Sequence, residues 1–263
     1  MLKMTRHGPV TRLLLGRNVA GRTLYLTAAY LVGDLLIDTG CPRTARQLEQ
    51  ALEDLPVRQV ALTHHHEDHV GGLARIQAGA PIPAYAHPLA LGRILDPPRR
   101  LAFYREVVWG VPAAARASPL PDELAAGPYR LRVLHTPGHC PDHVAFYEPR
   151  EGWLFTGDLF LGERVKQLRP RENVEATMQS LRRLPGSDYT IFCGGGRVVE
   201  DGPAAVARKL AYWEGLGEQA RALAAEGWKV DAITTRLLGR EGFLWLATGG
   251  DSAKRHLIRS FLG

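Results

Sequence analysis

The sequence predicts an α/β fold, and three observations carry that prediction. Apolar, β-branched segments alternate with segments of helical spacing between residues 22 and 193; the chemically loaded residues fall just past strand ends; and the chain turns wholly helical after Gly202. Alternation of this kind belongs to sheets with helices on their faces. Such sheets place their sites at the carboxyl ends of strands.

In order, Arg22–Val32 reads as a strand rich in apolar, aromatic and β-branched residues, and Leu35–Gly40 as a shorter one ending in a turn. Pro42–Leu55 carries Leu48, Leu52 and Leu55 at helical spacing. Arg58–Thr63 is a buried strand that delivers a histidine cluster at its end, after which Gly71 and Gly72 open a short helix, Leu73–Ala78. Residues 97–121 are helix-prone but broken by Pro98, Pro112, Pro119 and Pro121. Phe103, Tyr104 and Trp109 in that stretch could form a lid over a pocket, although such a stretch is more often a helix packed on the body. Leu131–His135, His143–Tyr147 and Trp153–Thr156 are further strands, Glu172–Leu184 is a helix, and Tyr189–Cys193 is a last strand running into three glycines. Pro203–Leu223, Val230–Leu238 and Ser252–Phe261 have helical character, so residues 203–263 read as a helical appendage to a domain spanning 1–202.

Composition narrows the class. A chain of 263 residues with 45% hydrophobic and 23% charged residues can bury a sizeable core. No stretch approaches the roughly 18 consecutive apolar residues of a membrane span. The segment Met1–Pro9 has no apolar signal-peptide run, so a cytoplasmic location is expected. Cys41, Cys140 and Cys193 are too few, and odd in number, for a disulfide framework. The net charge of +6 admits an anionic substrate. No dense basic tract with interleaved aromatics argues for nucleic acid.

The histidines point to chemistry. Seven of the ten lie in the windows 64–69 and 135–143. The first window reads His-x-His-x-Asp-His at His64, His66, Asp68 and His69. Four imidazoles and two carboxylates within six positions would be costly in a packed core, where each polar atom needs a partner. Neutral imidazole and carboxylate are the donors that zinc and similar divalent ions prefer.

Taken with Asp38-Thr39-Gly40, Thr63 to Gly72, His135-Thr136-Pro137-Gly138-His139 and Phe155-Thr156-Gly157-Asp158, the sequence resembles the metallo-β-lactamase fold superfamily, in its glyoxalase II-like branch of single-chain hydrolases. The resemblance covers roughly residues 10–200. It implies a four-layer αββα sandwich of two similar halves, with the site at one edge of the two sheets. It further implies two adjacent metals: His64, His66 and His139 on the first, Asp68 and His69 on the second, and Asp158 bridging them. Two dications set against two carboxylates and a hydroxide leave an excess positive charge that favours an anionic substrate.

One position departs from the family pattern. The histidine expected after the last strand is replaced in Phe192-Cys193-Gly194-Gly195-Gly196-Arg197 by Gly195, which removes a ligand from the second metal. Water, Cys193 or a shifted histidine are candidate replacements. Asp38 is expected to orient a ligand from behind, and His143 to bond or cap at the site edge. His135 is expected to be structural, and His65 and Glu67 to point away. Lys166, Arg164 and Arg197 are candidates for binding a substrate anion.

The expected activity is zinc-dependent hydrolysis of an ester, thioester, lactone, amide or phosphodiester by a metal-bound hydroxide that Asp68 orients. One or two zinc ions are expected, with iron or manganese as alternatives. Other classes stay open: an iron-dependent persulfide dioxygenase, a metal-dependent endoribonuclease, and a ligand-binding member with an impaired second site. A small-molecule substrate is expected ahead of nucleic acid, and no membrane partner.

Overall fold

The computed structural model describes residues 1–19 and 22–263. One sheet has seven strands in the order β1 to β7: Leu2–His7, Val10–Val19, Arg22–Val32, Leu35–Ile37, Gln59–Ala61, Ala84–Ala86 and Ser118–Pro119. Its first four strands pair antiparallel and the rest parallel. The other sheet has six, in the order β13-β12-β11-β10-β9-β8. These are Glu123–Ala126 (β8), Tyr129–His135 (β9), Val144–Glu148 (β10), Trp153–Gly157 (β11), Thr190–Cys193 (β12) and Val198–Val199 (β13).

Side-chain alternation along single strands builds the layers. On β4, Leu36 faces one apolar cluster, shared with Leu48, Leu73 and Ile76, while Leu35 and Ile37 face another, shared with Phe146, Phe155 and Phe192. The second cluster is the seam between the sheets. The same period-two logic turns Leu154 and Ile191 outward from that seam, onto Leu181 and Ala205. Helices α1 (Ala45–Leu52), α3 (Leu73–Gly79) and α4 (Pro88–Leu95) cover the first sheet. Helices α6 (Val174–Arg182) and α7 (Gly202–Ala225) cover the second. The short α2 (Glu67–Val70) lies between α1 and α3 in sequence, and α5 (Phe103–Val108) follows α4. The order helix, sheet, sheet, helix is the expected four-layer sandwich.

Two expectations needed adjustment. The hairpin β1–β2 precedes the first strand read from the sequence, and Leu13 and Leu15 on it are fully buried. The predicted helix 42–55 is a 3-10 turn at Pro42–Thr44 followed by α1, because Pro42 starts the turn and α1 ends at Leu52. The remaining helices are α8 (Val230–Leu238), α9 (Phe243–Ala247) and α10 (Lys254–Leu262). These and the distal part of α7 share a core with the body: Trp213, Ile233 and Leu257 bury together with Leu168, Val174 and Met178.

Candidate metal centre

Strands β5, β9, β11 and β12 end at one edge of the sandwich, and the turns that leave them carry the histidines and carboxylates. After β5 the chain runs through Thr63 into His64 and His66, and α2 then carries Asp68 and His69. His139 comes from the turn after β9. His66 Nδ1 lies 3.0 Å from His64 Nε2 and 2.9 Å from His139 Nε2. Two nitrogens on a tetrahedral zinc with bonds of 2.0–2.1 Å stand about 3.3 Å apart, so this cluster is close to the size of an ion's ligand shell.

A second group adjoins the first and shares His64 with it: His69 and Asp158. Asp158 follows a bulge in β11, where Thr156 is inserted between the Phe155–Phe192 and Gly157–Cys193 pairs. Bulges re-aim side chains beside sites. Gly157 takes φ +46°, and a Cβ there would lie 2.8 Å from His143 Nε2 and 2.9 Å from Thr63 Oγ1, so only glycine fits the turn into Asp158. Asp158 Oδ1 stands 3.3 Å from His69 Nε2 and Oδ2 stands 3.5 Å from His139 Nε2. Asp68 Oδ2 lies 3.9 Å from His69 Nε2 and accepts a hydrogen bond from the Tyr25 hydroxyl at 2.9 Å.

Supporting bonds decide which nitrogen of each ring faces inward. Asp38 Oδ2 accepts from His69 Nδ1 at 2.7 Å, which turns Nε2 into the site. Asp38 also takes the Thr63 amide and hydroxyl, each at 2.8 Å, and these bonds hold it at φ +59°, a left-handed conformation uncommon for aspartate. Glu172 accepts from His139 Nδ1 at 3.0 Å. His143 Nε2 accepts the Asp158 amide at 3.1 Å, and its Nδ1 bonds Thr136 Oγ1 at 2.8 Å.

The two groups differ in charge. Burial, and then the surrounding histidines, keeps His64 well below the ordinary imidazole value. Burial and the adjacent His139 do the same for His66. Burial pulls His143 down to about 3. Burial opposes charge on His69 as well, yet Asp38, Asp158 and Asp68 outweigh it and raise that ring well above the ordinary value. His139 is raised against burial by its bond to Glu172. Burial would raise Asp158, but His69 and His139 hold it far below the usual carboxylate range.

A divalent ion fits this arrangement. His69 Nε2 and Asp158 Oδ1 are fully buried and neither has a hydrogen-bond partner. Buried polar atoms are nearly always paired, so a ring nitrogen and a carboxylate oxygen buried side by side without partners are a donor set that a cation, displacing the ring's proton, would complete. Gly194 presses on this pair, since a Cβ there would fall 2.6 Å from Asp158 Oδ1 and 2.9 Å from His69 Cε1. At Gly195 a Cβ would meet only Leu161 Cδ2, at 3.6 Å, so the expected histidine position is open.

Several candidate residues lie elsewhere. Lys166, Arg164 and Arg197 are exposed and line neither of the two larger cavities at the centre. Val165 faces inward there, which turns its neighbours Arg164 and Lys166 out, and Arg197 sits on the outer turn between β12 and β13. Cys193 points into the apolar cluster with Leu154 and Ile191, where burial raises its thiol, and it joins no ligand group among the described residues. His65 turns to Asp142, with its ring bonding at 2.7 Å, and Glu67 accepts two bonds from Arg105 at 2.6 Å each. His135 is exposed and bonds the Pro141 carbonyl. Trp109 and Tyr104 do border the site, with Trp109 packed edge-on to Tyr25 at 5.0 Å. Tyr25, Glu172 and Arg169 were not legible, because each comes alone from a segment without a motif.

A family model described as the Metallo-beta-lactamase superfamily matches residues 22–197. Curated relatives include a beta-lactamase-like protein 2 homolog of Drosophila melanogaster, 34% identical over 72% of this chain and 64% of its own length. A thioesterase, pkgB, of Emericella nidulans is 33% identical over 75% of this chain and 54% of its own. A hydroxyacylglutathione hydrolase of Idiomarina loihiensis is 32% identical over 58% and 53%. The chain therefore spans between about half and two thirds of these relatives. Among solved structures, a beta-lactamase domain protein from Burkholderia ambifaria superposes with TM-score 0.77 at 18% identity, over 98% of this chain and 88% of that one. TTHA1623, solved in a di-iron-bound form, superposes with TM-score 0.55 at 28% identity, over 72% and 95%. With the sandwich, the histidine clusters and the matched span in agreement, this chain belongs to the metallo-β-lactamase superfamily.

Proposed function

We propose that the chain is a divalent-metal-dependent hydrolase of small anionic ester or thioester substrates, working in the cytoplasm with zinc as its metal. The observation that carries this reading is the convergence of His64, His66 and His139 beside His69 and Asp158, the last two with buried donor atoms lacking partners. His64, His66 and His139 would hold one ion; Asp68, His69 and Asp158 are the donors for a second. When bound, such an ion lowers the pKa of a coordinated water toward about 7 and polarises the attacked carbonyl.

The chain's own residues supply the rest. Asp38 and Glu172 fix the tautomers of His69 and His139. Tyr25 holds one oxygen of Asp68, leaving the other to orient a nucleophile's proton. His143 and Thr136 fix the backbone of Asp158. Trp109, Leu159 and Leu168 line an apolar cavity beside His139 and Asp158 that limits water there.

Elemental analysis of the purified chain, counting zinc, iron and manganese, tests the reading together with ester and thioester hydrolysis before and after chelation. Bound zinc, with activity lost on chelation and restored by zinc, is the expected result. A chain that retains no metal and hydrolyses nothing overturns it. The di-iron-bound form of TTHA1623 supports iron as an alternative metal, and bound iron with oxygen consumption on a persulfide would establish a dioxygenase instead.

A further inference from the structure

Two cavities meet at the metal centre, and their walls differ in kind. One, of about 540 Å³, runs from His139 and Asp158 beneath α9 and is walled by Trp109, Leu161, Trp213, Phe243 and Leu244. The other, of about 610 Å³, opens on the far side of His139 and is edged by five arginines: Arg93, Arg100, Arg105, Arg169 and Arg171. His139, Arg169 and Glu172 line both, so a ligand that spans them passes the histidine cluster.

The second cavity carries more guanidinium groups than carboxylates. Its three carboxylates are already engaged: Glu67 by Arg105 at 2.6 Å, Glu172 by His139 at 3.0 Å, and Asp251 by the Tyr104 hydroxyl. Arg100 is paired with Glu106 at 2.9 Å. Among the described residues Arg93, Arg169 and Arg171 have no carboxylate within ion-pair distance. Guanidinium groups in such a setting select phosphate or carboxylate through paired N–H donors. The apolar cavity selects by area removed from water, about fourfold in affinity for each methylene buried.

Resting on the hydrolase reading above, we propose that the substrate is a thioester joining an apolar acyl chain to a phosphate-bearing thiol. The acyl chain lies between Trp213 and α9, the phosphates reach Arg93 and Arg171, and the scissile carbon sits at His139. The thioester is taken from the hydrolase reading, which the relative named a thioesterase supports. Water adds to the acyl carbon, the C–S bond breaks, one proton of the water goes to the sulfur and the other to solvent, and the products are a carboxylate and a thiol.

Calorimetry on the metal-free chain, with three non-hydrolysable probes, reads the two cavities without catalysis. The S-decyl thioether of coenzyme A is expected to bind at least about 100-fold more tightly than coenzyme A and about tenfold more tightly than S-decyl-N-acetylcysteamine. The double variant Phe243→Asp/Leu244→Asp, both residues being exposed, should erase the first preference and keep the second. Arg93→Ala/Arg171→Ala should do the reverse. Equal affinity for all three probes, or none for any, overturns the proposal. A zinc-loaded chain that cleaves acetyl-N-acetylcysteamine as fast as decanoyl-coenzyme A overturns it too, and leaves the hydrolase reading standing. Selective binding without cleavage of decanoyl-coenzyme A supports the two-cavity assignment and defeats the hydrolase reading.

Discussion

Two of the turns that meet at the candidate metal centre are opposite in character. The turn that leaves β5 is held along its length: Thr63 bonds Asp38 through amide and hydroxyl, the His65 amide bonds Asp142 at 2.9 Å, and the Asp68 carbonyl accepts from Thr27 at 3.0 Å. The His69 carbonyl accepts from Thr39 at 2.8 Å. The turn that leaves β12 contributes three glycines and no side chain, one glycine pressed against Asp158 and His69 and the next facing open space. Yet His69 and Asp158 keep their inward geometry, because Asp38, Thr39 and His143 hold them. The poorer turn adds no donor atom, yet the scaffold that orients His69 and Asp158 is intact.

The largest break in that contrast is His66→Ala, which removes the nitrogen shared by both close contacts of the histidine cluster. Bound metal and hydrolysis are expected to fall together by more than about 100-fold, measured by elemental analysis and kcat/KM. Full metal content with full activity would show that the cluster is not the metal site. Next is Gly194→Ala, whose Cβ would overlap Asp158 Oδ1. Displacement of that carboxylate should lower kcat about 100-fold while the chain still folds, as circular dichroism would show. An unchanged kcat would mean Asp158 has room to move without consequence.

Gly195→His sharpens the contrast in the other direction. Its Cβ enters open space, so the turn accepts the side chain, and the affinity for a second ion is expected to rise about 10–100-fold in a metal titration. A titration that still ends at one ion would show that the imidazole does not reach the site.

The smallest effect lies behind the well-held turn. Burial opposes ionisation of Asp142, but its bonds to His65 hold its carboxyl down at about 2 against an ordinary 3.8. A depressed carboxylate stabilises the fold above pH 3.8 and loses that contribution as pH falls through about 2. Asp142→Asn should therefore cost about 2 kcal/mol in urea unfolding at pH 7, converge with the parent near pH 2, and leave metal content unchanged. A pH-independent difference would point to packing instead of charge.

How far the sequence could be read follows the same division. His64, His66, Asp68 and His69 lie within six positions, His139 and Asp158 end recognisable strand-turn motifs, and the structure brings all six together. The strand and helix alternation from 22 to 193 was legible because periods of two and 3.6 leave plain traces. Tyr25, Glu172 and Arg169 left none, since a tyrosine on a strand or an arginine before Pro170 is ordinary until the fold sets it beside a ligand. Lys166 and Arg197 show the converse error: nearness in sequence to a site loop does not fix which way a side chain turns. The hairpin β1–β2 was missed because exposed polar residues such as Lys3, Arg6 and Asn18 break up its apolar run, while Leu13 and Leu15 supply its core contribution.

The helix α9 contributes no buried residue, yet Phe243, Leu244 and Ala247 form a wall of the apolar cavity. Packing constrains a core position to a narrow range of volumes, and these three positions escape that constraint. Their side chains can be exchanged at little cost in stability, while most positions of the histidine-bearing loops across the cavity are tied down by hydrogen bonds. Selection for a different substrate would therefore act first on a five-residue helix, long before it disturbed the sandwich or its histidine cluster.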